Sequence, residues 1–395
     1  MMLTRREREV LALLRRDPLA GAQAIADALG TTRAAVNVHL SNLGKKGAIL
    51  GRGYILRQEH AVVVVGGANV DVKVRSLAPL AYRTSNPGQA HTSPGGVARN
   101  VAENLARLGT PTHLIAAVGQ DPAGERLLSE TQATGVRIDH VHRGAHPTGT
   151  YTAVLDADGE LAVAVADMAA TDGLGPEHLQ PARELIGNAS MLVLDGNLSS
   201  SALAYALDIA SAAGVQTVID PVSVPKATLL APLLAAGRPV FAVTPNVAEL
   251  GALTGRDTFR DTGDDRQVTD AVAVLHERGV QYAWVRLGER GSLLSGAEEG
   301  VTFLDAPPAE VQDVTGAGDA MLGAFVHALL TGEDPVAAAR YGHAAAALTV
   351  ATTATVRPDL TPRLVEDALT PRLVEDALTP RLVEDAATAP PRRTT

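Results

Sequence analysis

The chain has 395 residues and a formal net charge of −10, with 46% hydrophobic and 20% charged residues, a composition that fits a soluble protein of two domains with appendages. The charge is polarised: residues 1–60 carry ten Lys/Arg against five Asp/Glu, or +5, which leaves −15 for the remainder, so contact with nucleic acid is expected of the head alone. The absence of cysteine excludes disulfides, thiolate nucleophiles and Cys-ligated zinc.

The stretch Met1–Glu9 has no apolar h-region, so no secretory signal is expected. The longest β-branched run, Val62–Val65, is too short to span a bilayer. A cytoplasmic protein without membrane contact is expected.

In chain order, residues 4–16 place Val10, Leu11, Leu13 and Leu14 on helical spacing behind Thr4 as N-cap. A second short helix is predicted over 20–29, ended by Gly30. A third follows Thr31 and Thr32 and carries Ala34, Ala35, Val36, Val38, Leu40 and Leu43. The segment 47–56 then reads as two short strands around Gly51-Arg52-Gly53. Three helices and a hairpin describe a winged helix-turn-helix domain over 1–58. Its third helix would enter the major groove, and Arg52 would reach phosphate or the minor groove. The competing reading is a small basic oligomerisation module.

From Ala61 the rhythm changes. Strand-like runs at 61–66, 114–118, 191–195, 217–220, 240–244 and 283–287 alternate with helical stretches such as 97–108, 201–213 and 268–279. This βαβ pattern predicts an α/β domain, a parallel sheet with helices on both faces. Residues 70–93 and 147–168 break the rhythm and are predicted to pair as a small sheet over the main one, a lid. The domain is bounded at 60–360. The remainder, 361–395, continues three copies of Leu-Thr-Pro-Arg-Leu-Val-Glu-Asp-Ala that begin at 360, 369 and 378. Nine residues rotate a helix by half a turn, and Pro371 and Pro380 interrupt it. The first copy is therefore expected to dock, with the others forming a flexible tail, and a neutral repeat expansion without function is the favoured account of the extra copies.

Three constellations carry chemistry. In 311–329, the Gly316-Ala317-Gly318-Asp319 run precedes a strongly helical stretch. Small residues at a helix N-terminus expose N–H groups backed by the helix dipole, an anion hole for a transferring phosphoryl group. Asp319 in the first turn can take the proton of an attacking alcohol. An aspartate-capped helix after a glycine turn would look the same. The second constellation is Ser93–Gly109, where Gly95-Gly96 permits close backbone approach and Asn100 lies one turn on. The third is Gly67–Asp71, where Asn69 and Asp71 share one side of a strand end and could hold two sugar hydroxyls. No Walker-type Gly-x-x-x-x-Gly-Lys-Ser/Thr motif occurs.

Together these motifs resemble the PfkB (ribokinase-like) carbohydrate and nucleoside kinases over about residues 60–360. The resemblance implies a three-layer α/β/α ribokinase-like domain with some nine central strands and a small β lid. It also implies ATP with magnesium, and transfer to a primary hydroxyl. Within the family, Ser85–Gly88, the 95–105 helix start, Asp220–Lys226, Thr315–Met321 and Pro358-Asp359-Leu360 look like the pseudouridine kinase branch, which points to a nucleoside 5′-hydroxyl.

By resemblance, Asp319 is the base and Gly316, Ala317 and Gly318 the anion hole. Asn69, Asp71, Gly95, Gly96 and Asn100 would bind sugar, and Ser85 would touch the base from the lid. Asn246 would lie near the phosphates and Glu249 hold a magnesium–water network. Arg286, Gly288 and Gly291 would form the nucleotide-edge loop, with Lys226 a phosphate contact. His343 stands where an Asn facing adenine is expected. Asp313 and the Thr315 carbonyl would form a monovalent-cation site for potassium. Asn246, Glu249 and Asp313 could equally be ordinary helix or turn caps, and Lys226 a plain surface lysine. A homodimer is expected. The alternatives are a regulator whose kinase-like domain only senses a sugar or nucleoside, and a kinase for ribose, fructose or another nucleoside.

Overall fold

A computed structural model describes residues 3–16, 20–46, 48–49, 61–256 and 264–369. Most of the expected wing, Arg52 included, and the second and third tail repeats lie outside the described residues.

The three N-terminal helices form as expected: α1 (Arg5–Arg16), α2 (Ala22–Ala28) and α3 (Arg33–Lys45). Thr4 caps α1 reciprocally with Glu7, accepting from Glu7 N at 3.2 Å while its own N–H donates to Glu7 Oε2 at 2.7 Å. Thr32 caps α3 through the Ala35 N–H. Val10, Leu14, Ile25, Ala26, Val36 and Leu43 close a small core. Buried Glu7 pairs with Lys46 Nζ at 2.7 Å and ties α1 to the end of α3. Val38 instead points outward, 58% exposed.

From Ala61 the chain builds an α/β/α sandwich. Its strands are β1 (Val62–Val65), β2 (Asn69–Ser76), β3 (Gly88–Gly95), β4 (Thr112–Ile115), β5 (Ala117–Gly119), β6 (His142–Gly144), β7 (Gly149–Leu155), β8 (Leu161–Asp167), β9 (Met191–Asp195), β10 (Thr217–Asp220), β11 (Val240–Val243), β12 (Val280–Arg286), β13 (Ser292–Gly296) and β14 (Gly300–Leu304). Among the described residues the main sheet has eight strands, in the order β14-β13-β12-β11-β10-β9-β1-β4. That is one fewer than the resemblance implies, because β5 pairs separately with β6. The sheet is mixed rather than parallel: β13 runs antiparallel to β12, and the edge strand β14 runs antiparallel to β13. Both follow short hairpin connections, which cannot house the crossover that a parallel pairing needs.

Alternation along β1 builds both cores. Val62 and Val64 face one layer, with α4 (Val97–Arg107) and the helices Ala317–Thr331 and Pro335–Val350. Val63 and Val65 face the other, with the helices Ser200–Ala213, Val247–Thr254 and Asp265–Glu277. Leu360 and Val365 of the first tail repeat are buried in the former core, so that copy docks on a helix over 362–369.

The lid forms as a four-stranded sheet, β3-β2-β7-β8. Its outer strand β8 exposes Leu161, Val163 and Val165. Since β1 lies between β4 and β9, the chain reverses its winding direction there. Such a switch point opens a crevice beyond the carboxyl ends of the strands. Among the described residues no helix is long and apolar enough to cross a membrane.

Trp284, fully buried, lies 4.8 Å centroid to centroid from Phe325 and stacks at 5.9 Å on His343. Trp284→Ala should cost about 3–5 kcal/mol of stability. Urea denaturation followed by circular dichroism is the suitable measurement, since this is the chain's one tryptophan.

Candidate active site

The site grows from the carboxyl edge of the sheet. β1 ends at Gly66, and the chain enters the lid through Asn69 at the start of β2. Asn69 Nδ2 donates to Asp71 Oδ1 at 2.7 Å, so the two expected sugar-binding side chains meet. Burial pushes the Asp71 carboxyl above its ordinary pKa, against the opposing effects of Asn69, Arg99 and Lys73. Gly95 pairs with Asn69 across β2 and β3, and a side chain there would collide with the Asp71 carboxylate.

Gly96 caps α4 with φ +96°, packed so closely on the Gly67 carbonyl and Ala68 that a side chain has no room. The buried Asp195 carboxylate at the end of β9 staples this junction. Its Oδ2 accepts from Gly67 N and Ala98 N, both at 2.9 Å, and its Oδ1 accepts from Asn197 N at 2.9 Å. One turn into α4 lies a buried relay. Arg99 Nη1 donates to Glu103 Oε2 at 2.6 Å and Nη2 to Asn100 Oδ1 at 2.5 Å. With its oxygen held, Asn100 turns its amide nitrogen to Asp319 Oδ2, 2.7 Å away.

Asp319 sits in the first turn of the helix Ala317–Thr331, behind Gly316 in the left-handed region at φ +81°. Gly316 rests against the Thr355 carbonyl, where a Cβ would clash. The first N–H groups of this helix have no intrahelical partner, although Ala317 N donates to the Val314 carbonyl at 3.3 Å, and the helix dipole adds positive potential at this end. Burial pushes the Asp319 carboxyl up to about 7; Asn100 and Arg286 oppose the shift, while Asp220 and Asp195 reinforce it. Arg286, at the end of β12, bridges two further buried carboxylates. Nη1 lies 3.1 Å from Asp220 Oδ2 and Nη2 lies 3.2 Å from Glu249 Oε2.

On the other side of Gly318 opens a cleft of about 630 Å³, whose walls include Arg286, Gly288, Gly291, Ala317, Met321 and His343. Its size suits a nucleotide-sized ligand. The nucleotide-edge residues named from sequence therefore converge, with one change. His343 engages both ring nitrogens internally, Nε2 with Ser292 Oγ at 2.8 Å and Nδ1 with the Asp305 carbonyl at 3.2 Å. It therefore lines the cleft with ring surface.

Other expected contacts are not assembled. Asn246 caps the helix Val247–Thr254 in a reciprocal box with Glu249, each bond 2.9 Å, so its Oδ1 serves the helix. Lys226 lies 3.7 Å from Asp172. Ser85 is exposed in the β2–β3 connection, outside both hydrogen-bond chains. Asp313 and Thr315 do meet, but a third residue joins them. Lys73 Nζ lies 2.5 Å from Asp313 Oδ2 and 3.0 Å from Thr315 Oγ1.

Asn100 of one glycine-started helix thus meets the aspartate at the start of a second. Residues 59–362 match the model of the pfkB family carbohydrate kinases. The chain belongs to that family. Residues 3–49 match a winged helix-turn-helix DNA-binding domain. The pfkB relatives include an uncharacterized sugar kinase, YeiI, of Escherichia coli, 35% identical over 91% of this chain and 97% of its own. The pseudouridine kinase of the same organism is 34% identical over 78% of this chain and 95% of its own. Among solved structures, Arabidopsis thaliana ribokinase complexed with ribose and ATP superposes with a TM-score of 0.67 at 28% identity, covering 79% of this chain and 99% of that one. As a pfkB kinase, the protein is a phosphotransferase with a hydroxyl acceptor.

Sequence reasoning missed Asp195, Arg99, Glu103 and Lys73. An Arg99–Glu103–Arg107 ladder at i, i+4 spacing was visible but reads as an ordinary solvated helix face; only packing buries it. Arg99→Met should remove the clamp on Asn100 and leave Glu103 with Arg107 alone, lowering stability by about 1–3 kcal/mol in chemical denaturation.

Proposed function

We propose that the chain transfers the γ-phosphate of ATP to the 5′-hydroxyl of a nucleoside, with pseudouridine the foremost acceptor. The observation that carries this reading is Asp319: a carboxyl with its pKa near 7, held by Asn100 at a helix N-terminus between the lid and the nucleotide-sized cleft. In the proposed step the acceptor hydroxyl gives its proton to Asp319 as its oxygen bonds the γ-phosphorus. The bond from that phosphorus to the β–γ bridging oxygen breaks, and ADP leaves. The N–H groups of Gly316 and Gly318 face the charge of the transferring group, whereas the Ala317 N–H expected beside them is donated to the Val314 carbonyl; Asn69 and Asp71 orient the sugar.

Magnesium, bound with ATP, would neutralise phosphate charge. Among the described residues no three-carboxylate cage exists. Buried Glu249 near Asp220 suits an ion that keeps most of its waters. The choice of a nucleoside over a free sugar rests on the likeness to the pseudouridine kinase, which spans 95% of that protein.

An ATP-consumption screen over pseudouridine, uridine, inosine, adenosine, ribose and fructose decides the acceptor. Pseudouridine should lead with a kcat/KM at least about tenfold above uridine. Turnover of ribose or fructose with pseudouridine inert would overturn the nucleoside reading.

Asp319→Asn should lower kcat by about 10²–10⁴-fold with nucleoside binding largely intact. Because the base must be ionised, wild-type kcat/KM should rise with pH to a plateau above about 7. The same shift sets a sign for stability. A carboxyl whose folded pKa lies above its unfolded value keeps its proton longer when folded, so stability falls as pH rises from about 4 to about 7. At pH 8 the Asp319→Asn protein should therefore unfold no earlier than wild type. Lower stability in the variant would show that its inactivity reflects misfolding.

A second reading has its own support. The family match at 3–49 and the outward Val38 on α3 suit a DNA-binding head, and nucleoside or ATP binding could then alter DNA affinity. Gel-shift titrations giving equal affinity with and without nucleoside would exclude that coupling.

A further inference from the structure

Asp313 lies three residues before Gly316, in the loop that leads into the expected anion hole, and the resemblance assigns it with the Thr315 carbonyl to a monovalent cation; Lys73 meets Thr315 through its hydroxyl instead. The structure does not fit that assignment. Asp313 Oδ1 accepts from Thr315 N at 2.9 Å and from Thr315 Oγ1 at 2.6 Å, and Oδ2 receives the Lys73 ammonium at 2.5 Å. The carboxylate's charge is thus already balanced, and a second cation on it would stand beside the ammonium and be repelled.

Lys73 reaches this point by strand periodicity. It follows Asn69 and Asp71 at alternate positions of β2, so the lid strand that carries the sugar-binding pair also carries the cation. Lys73 and Asp313 are both about three-quarters buried, so solvent screens the pair only in part. Burial by itself would raise the Asp313 pKa, yet with Lys73 and Thr315 bonded it falls below the ordinary carboxylate value.

We infer that Lys73 is a built-in cation: its lid-borne ammonium takes the place of a monovalent metal ion at Asp313 and Thr315, fixes the loop before Gly316, and makes the kinase indifferent to potassium. The role is one of positioning. The ammonium acts through the loop that aims the helix N-terminus. It also couples lid and loop, since β2 cannot lift without breaking the pair.

The inference rests on the kinase reading for its activity arm, so a second readout is independent of turnover. Full-length wild type and the Lys73→Met and Lys73→Arg variants would be compared in potassium chloride and in tetramethylammonium chloride at equal ionic strength. Thermal unfolding midpoints and, with the acceptor found above, initial rates would be measured. Wild type and Lys73→Arg should respond alike to both salts, with rates within about twofold. Lys73→Met should lose about tenfold or more in tetramethylammonium and recover part of it in potassium. Its midpoint should rise by a few degrees in potassium alone, as a newly opened site binds the ion. A wild-type rate raised about tenfold by potassium, or a potassium-specific wild-type midpoint, would overturn the inference even if Lys73→Met fails to fold. A folded Lys73→Met without any potassium response would do the same. If no acceptor is phosphorylated, the kinase reading fails and the unfolding arm still decides this one.

Discussion

The hydrogen bond from Asn100 to Asp319 joins two helix starts that lie 219 residues apart in the chain. Each helix opens on a glycine at positive φ, Gly96 and Gly316, packed against backbone from elsewhere. Both dipoles therefore point their positive ends at one crevice, the switch point beside β1. If either glycine carried a side chain, its helix would withdraw from the other and the bond would lengthen. The remaining site geometry hangs on this junction, because Arg99, Asp195 and the lid entry at Gly67 all secure the α4 half of it.

Burial pushes the Asp195, Glu249 and Asp319 carboxyls up alike, while Asp313 falls, and the partners of each differ. Asp195 is satisfied by three backbone N–H groups, Asp220 and Glu249 share the Arg286 guanidinium, and Asp313 holds Lys73. Asp319 takes one hydrogen bond, from a neutral amide, and has Asp220 and Asp195 among the charges that act on it. Desolvation with weak compensation lifts its pKa towards neutrality, where a proton acceptor works best. The surrounding pairs also spare the fold from several unpaired buried charges, each of which would be destabilising.

The N-terminal unit is held together differently. Its apolar core is small, and the buried Glu7–Lys46 pair together with two hydroxyl caps supplies much of its definition. Its basic surplus contrasts with the acidic remainder, so an anionic ligand is attracted to the head and repelled by the rest.

Local signals in the sequence determined a good deal. Strand and helix alternation, the three N-terminal helices with Thr4 and Thr32 as caps, the lid segments and the Gly-Gly and Gly-Ala-Gly-Asp helix starts were all legible, because each depends on residues within a turn or two. The docking of the first tail repeat followed from periodicity and proline. Only the tertiary structure decided the rest. That His343 spends its nitrogens on Ser292 and Asp305, and that Lys73 lies against Asp313, depends on partners tens to hundreds of residues away. A charged residue on an alternating strand reads as solvent-facing until a second element covers it. Sequence spacing says which side of β2 carries Lys73, and packing alone says which carboxylate it meets there.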